Sequence, residues 1–126
     1  MGLFYSKPAA KPSLIYNKEF LTSLPDFTGK NVVITGTSLG SLGYVITEAC
    51  LEKNANVYCL NRDMKKAQET KDSLVKTNPS FDSRINLIKC DLVDFDSIRQ
   101  AAQEVKSNVD KVDILCNNAG VMMLPG

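Results

Sequence analysis

Histidine is absent from the 126 residues, which removes Ser-His-Asp and Cys-His nucleophile arrangements and every zinc site built on an imidazole. Much hydrolase chemistry goes with it. No CxxC pair exists either: Cys50, Cys59, Cys90 and Cys116 stand 9, 31 and 26 positions apart, a spacing with no metal or redox signature. Three of them sit in short apolar runs (VYCL, NLIKC, DILCN), so the cysteines are expected as reduced core thiols. Neither sign of charge prevails. With 15 Lys and Arg against 14 Asp and Glu, and a formal net charge of +1, nothing marks nucleic acid as a partner. No apolar run approaches the roughly 18 residues of a membrane span, and no secretory leader pattern follows Met1, so a cytoplasmic protein is the expectation. What is present, 44% apolar and 23% charged residues, is the composition of one ordinary globular domain.

Residues 1–27 carry Pro8, Pro12 and Pro25 among Lys and Ser without a sustained period, and read as an arm holding at most a short helical piece from Asn17 to Ser23. From residue 28 to 126, short apolar runs alternate with helical stretches, the pattern of successive βαβ units and so of an α/β domain with a parallel sheet. Asn31 to Thr35 (NVVIT) is apolar and β-branched, as a strand buried on both faces must be. The spacing of Leu42, Val45, Ile46, Ala49 and Cys50 predicts a helix over 42–53, with Asn54 as its left-handed terminator. Ala55 to Leu60 and Ile85 to Cys90 predict the second and third strands. Asp63 is placed to cap a helix that turns Met64, Ala67, Leu74 and Val75 inward and is closed by Asn78-Pro79. Asp94 is placed to cap another, with the inner stripe Ile98, Ala101, Ala102, Val105 and Val109. Val112 to Asn117 predicts the fourth strand, giving the order β-α-β-α-β-α-β.

The segment Thr35-Gly36-Thr37-Ser38-Leu39-Gly40-Ser41-Leu42-Gly43 follows a strand and opens a helix. In that context glycines let the backbone approach a pyrophosphate, and the first helical amides face it. The same glycines also suit a tight turn with no ligand. The Gly-Lys-Ser/Thr ending of a nucleoside triphosphate loop is missing.

TGTSLGSLG after the first strand, Asn61-Arg62 after the second, Asp91-Leu92 after the third and NNAG after the fourth together resemble the short-chain dehydrogenases/reductases. TGK, CLNRD and NNAGVMMLP are most similar to the branch that holds the retinol dehydrogenases. The resemblance implies a partial Rossmann-type, doubly wound parallel sheet and oxidoreductase chemistry, a hydride passing between a nicotinamide and a small lipophilic alcohol or carbonyl. It assigns Gly36, Thr37, Ser38, Leu39, Gly40 and Leu42 to the dinucleotide's pyrophosphate loop. The family pattern TGxxxGxG is exceeded by one residue, so either Leu42 replaces the third glycine or the loop is lengthened by one. The late arrival of the second strand favours lengthening. Asp91 would meet the exocyclic amine of the adenine and Leu92 would wall it. Asn118 would brace its strand beside the adenosine ribose, and Ala119-Gly120 would let the cofactor pass close to the backbone.

An acidic residue at the end of the second strand accepts from a free ribose 2′-OH and repels a 2′-phosphate. Asn61 and Arg62 stand there instead. Arg62 can meet a phosphate bidentately, with Thr37 and Ser38 as nearby hydroxyl donors, so NADP is expected over NAD, which Asp63 would serve. The family's catalytic Ser and YxxxK lie beyond NNAG and have no counterpart here, since Tyr5, Tyr16, Tyr44 and Tyr58 all precede it and none has Lys four residues on. The expectation is therefore a chain truncated after the fourth strand, with no catalytic residues, an open fourth-strand edge and a tendency to self-associate. A non-catalytic nucleotide-binding or interaction module is the other reading. Met1-Gly2-Leu3-Phe4-Tyr5-Ser6 fits the myristoylation pattern at Gly2, a route to reversible membrane association.

Overall fold

The run NVVIT forms strand β1 (Asn31–Thr35), in which Val32, Val33, Ile34 and Thr35 are all buried. Alternation explains it. Val32 and Ile34 point into one apolar cluster with Cys50, Leu51, Leu74 and Phe81, while Val33 points the opposite way into a second with Tyr58, Ile88, Ala101 and Val105. The structure, a computed structural model, describes residues 18–120. Gly2, where myristoylation is expected from the sequence, lies outside them.

A short helix α1 (Lys18–Ser23) comes before β1, and α2 (Leu42–Glu52), β2 (Asn56–Asn61), α3 (Met64–Thr77), β3 (Ile85–Lys89), α4 (Phe95–Asn108) and β4 (Ile114–Cys116) come after it. The strands are parallel in the order β3-β2-β1-β4, with Val32 level with Val57 on one side and Ile114 on the other. Helices α2 and α3 supply one cluster and α4 the other, the two-faced cover that a parallel sheet needs. This is the parallel α/β sheet expected from the sequence pattern, in the Rossmann-type arrangement that the resemblance implies. Asp26 and Phe27, ahead of the boundary expected at residue 28, are already tied in. The Phe27 N–H donates to the Lys53 carbonyl at 2.7 Å, and Asn54 Nδ2 donates to Asp26 Oδ1 at 3.0 Å.

The helix ends follow their caps. Asp63 Oδ1 accepts from the N–H groups of Lys65 and Lys66, Asp94 Oδ1 accepts from those of Asp96 and Ser97, and Asn54 takes φ +74° after α2. Asn78 ends α3 but continues into a 3-10 turn over Pro79–Arg84, which brings Phe81 under the sheet. From that turn Arg84 donates to the carbonyls of Leu51 and Ala55, each at 3.0 Å, fastening the end of α2 to the start of β2.

Three details differ from the sequence pattern. The fourth strand, expected over 112–117, shortens to Ile114–Cys116, because Asp113 turns its carboxylate onto the Asn31 N–H and Asn118 turns onto β1. Ala102 is exposed, since the next residue after buried Ala101 is rotated by about 100° and leaves the stripe. Leu42 and Met64 also face outward, each at the first turn of its helix. All four cysteines are free thiols; Cys50, Cys59 and Cys90 are buried and Cys116 half-buried. Burial pushes the thiols of Cys50 and Cys59 up to about 11. Among the described residues no helix is long and apolar enough to cross a membrane.

Candidate cofactor site

Beyond β1 the chain turns toward β2, whereas β4 flanks β1 on its other side, so a crevice opens at the carboxyl ends of the strands where the order reverses. The loop that follows β1 occupies it. Gly36 and Gly40 have φ of +73° and +77°, a region closed to most side chains. A Cβ on Gly36 would also lie 2.9 Å from the Cα of Ala119, which passes directly over it. Gly43, buried in the first turn of α2, has no room at all: a Cβ there would collide with the Gly36 carbonyl oxygen and come within 2.7 Å of Asn118 Nδ2. Gly43 is therefore the glycine that lets the helix pack against the loop, and Leu42, 65% exposed, does not replace it. The lengthened-loop reading is the one the geometry follows.

The helix start is ordered by Ser41, whose Oγ accepts from the Tyr44 N–H at 3.1 Å and donates to the Ser38 carbonyl at 2.6 Å. With the Tyr44 N–H on the Ser41 hydroxyl and the Val45 N–H on the Ser41 carbonyl, the Leu42 and Gly43 amides are the ones at the start of α2 with no intrahelical acceptor to meet. On the β4 side Thr35 and Asn118 hold the loop. Thr35 Oγ1 accepts from the N–H groups of Asn118 and Ala119 at 3.0 and 2.9 Å, and Asn118 Nδ2 donates to the carbonyls of Thr35 and Gly36 at 3.2 and 3.0 Å. Asn118 thus braces the end of β1.

A cleft of about 490 Å³ lies over these strand ends, a size ordinary for small-molecule sites. Of the residues singled out from the sequence, Gly36, Ser38, Asn61, Arg62, Asp63, Asp91, Leu92, Ala119 and Gly120 line it. Leu39, Gly40 and Leu42 are exposed outside its wall, and Thr37 and Asn118 hold the loop from beneath. Thr37 differs from the expectation of a hydroxyl donor beside a phosphate. It is fully buried, and its Oγ1 accepts from Asn61 Nδ2 at 2.8 Å while its N–H donates to Asn61 Oδ1 at 2.9 Å. Asp91 spends one carboxylate oxygen on the Val93 N–H at 3.1 Å and leaves Leu92 and Val93 standing exposed on the turn.

Lys66 and Thr70 escaped the sequence reading, and Thr35 stood in it only as the start of the loop. Lys66 also lines the cleft, and the spacing of Asp63, Lys66 and Thr70, at three and then four residues along α3, is the signal that could have found them. Between Arg62 and Lys66 stands Asp63, whose carboxyl is held below its ordinary value of 3.8, chiefly by the Lys66 and Lys65 backbone N–H groups it caps. The arrangement offers a glycine cradle, the two amides at the start of α2 and two exposed cations on either side of the Asp63 carboxylate, which fits a dinucleotide's pyrophosphate and adenosine half.

The sequence model of the short chain dehydrogenase family matches residues 30–125. An uncharacterized oxidoreductase of Schizosaccharomyces pombe is 37% identical over 102 residues, covering 81% of this chain and 29% of its own length. The oxidoreductase fscI of Fusarium equiseti is 38% identical over 101 residues, covering 79% and 38%. The chain thus spans about a third of the length of these relatives. Among solved structures, menthone neomenthol reductase of Mentha piperita superposes with a TM-score of 0.68 at 27% identity, over 73% of this chain and 32% of that one. The N-domain of bacterial malonyl-CoA reductase with NADP gives 0.71 at 33% identity, over 78% and 18%. The glycine cradle, the strand order and these likenesses together make the chain a member of the short-chain dehydrogenase/reductase family of oxidoreductases, which bind NAD(P) on this fold.

Proposed function

We propose that the cleft holds NADP(H) by its adenosine and pyrophosphate half, as the cofactor-binding part of an oxidoreductase acting on an alcohol or carbonyl. One observation carries the choice of cofactor. Arg62 and Lys66 both border the cleft and bring two cations to where a 2′-phosphate would lie, while Asp63 between them, which borders it too, spends one carboxylate oxygen on capping α3. Gly36 and Ser38, with the Leu42 and Gly43 amides at the start of α2, receive the pyrophosphate, Leu92 and Asp91 flank the adenine, and Ala119-Gly120 let the cofactor pass. Bound there, the nicotinamide supplies a hydride donor or acceptor.

The test is a titration of NADPH and NADH against the parent chain and Arg62→Asp. The parent should favour NADPH, and the variant should lose about 10- to 100-fold of that preference, since a charge-assisted hydrogen bond is replaced by a like charge. An unchanged ratio would withdraw the NADP assignment. Because no tyrosine of this sequence has a lysine four residues on, the chain should bind cofactor without turnover. Oxidation or reduction of any alcohol or ketone above the rate of a Gly36→Asp control would overturn that part.

A further inference from the structure

We propose that Asn61 is a positioning residue rather than a cofactor ligand: with Thr70 it locks Thr37 and so holds the glycine loop in its receiving shape before any ligand arrives. At the end of the second strand of a dinucleotide fold, the side chain ordinarily reaches the adenosine ribose. Here the Asn61 amide turns back across the strand ends and spends both of its ends on Thr37, one accepting and one donating. From α3, Thr70 Oγ1 donates to the Thr37 carbonyl at 2.9 Å, so the N–H, the carbonyl and the hydroxyl of Thr37 are all engaged. Thr37 and Thr70 are 0% exposed and Asn61 only 8%. Water cannot substitute for these partners without opening the loop.

The lock sits one residue after Gly36, whose left-handed conformation would otherwise let the loop swing. It also joins three elements, the loop after β1, the end of β2 and the middle of α3, through one buried residue. A loop fixed in this way loses little freedom when a pyrophosphate arrives, which raises affinity for every ligand carrying that group alike. Arg62 and Lys66 act differently, since they distinguish one dinucleotide from another. The consequence for affinity rests on the cofactor reading above; the lock itself does not.

Two measurements on the full chain separate them. In the ligand-free protein, Asn61→Leu should speed exchange of the Thr37 amide hydrogen at least about tenfold relative to that of Val33 in β1, the effect of losing one hydrogen bond of ordinary strength. In titrations, Thr70→Val should weaken NADPH and NADH by the same factor, about tenfold, leave their ratio intact and be rescued by Thr70→Ser. Leu74→Ala, a core change on the same helix, controls for plain destabilisation and should not reproduce that loss. Unchanged Thr37 exchange in Asn61→Leu would overturn the lock. So would a loss in Thr70→Val confined to one dinucleotide, or one matched by Leu74→Ala. Should Asn61→Leu fail to fold, the Thr70 pair decides. A parent chain that binds neither dinucleotide would refute the cofactor reading, while the exchange result would still decide the lock.

Discussion

Gly43 shows how little tolerance the site has at the level of single atoms. Gly43→Ala should lower stability by about 1–3 kcal/mol, the usual cost of forcing a methyl group into a filled space, and abolish dinucleotide binding, because the methyl group pushes the Gly36 carbonyl and Asn118 out of place. Denaturant titration checks the first and fluorescence titration the second. Retained affinity would mean that the loop can shift without loss. The glycines, Arg62, Asp91 and Asn118 could be found in the sequence because their meaning depends on spacing along the chain and on which strand end they follow. The pairing of Thr37 with Asn61 could not. It depends on which way two side chains turn, across 24 residues, and on Thr70 arriving from another helix 33 residues away.

The elements were legible wherever a local signal fixes them. Asp63, Asp94 and Asn54 mark helix ends because each satisfies or redirects the backbone within three residues of itself. The shortening of β4 was not, since it depends on Asp113 reaching across to β1; the 3-10 turn after Asn78 does carry a local signal, Asn78 Oδ1 accepting from the Ser80 N–H beside Pro79. Asp113 also gives the joint between β4 and β1 a pH dependence. The Asn31 N–H, accepted at 2.8 Å, and secondarily Lys111 hold its carboxyl below the ordinary value of 3.8. A carboxyl with a folded-state pKa lower than its unfolded one stabilises the fold fully above the unfolded value, and that contribution is lost as pH falls through the folded one. Melting temperatures should therefore drop on the acid side of about pH 4, and Asp113→Asn should flatten that limb while lowering the plateau near neutrality. Superimposable profiles for the two chains would show that the joint carries no charge dependence.

Among the described residues β4 stands at the margin of the sheet with β1 as its partner, and Val112, Ile114 and Leu115 are 41%, 38% and 59% exposed. Unpaired backbone groups beside apolar side chains form a template for further pairing. The 126-residue chain should therefore self-associate as concentration rises, and Leu115→Lys should reduce it; sedimentation velocity reads both. A compact monomer with one cooperative melt would contradict this. The strand order also bears on how the chain assembles over time. The bond from Thr37 to Asn61 closes 24 residues of chain, whereas those joining β1 to Asp113 and Asn118 close 82 and 83. Shorter closures lose less entropy and come first. The floor of the cradle thus rests on a short closure and its far wall on long ones. The side of the cradle built by Asn118 and Ala119 therefore depends on closures more than three times as long as the one beneath Thr37, and its geometry is the more exposed to any loosening of the sheet between β1 and β4.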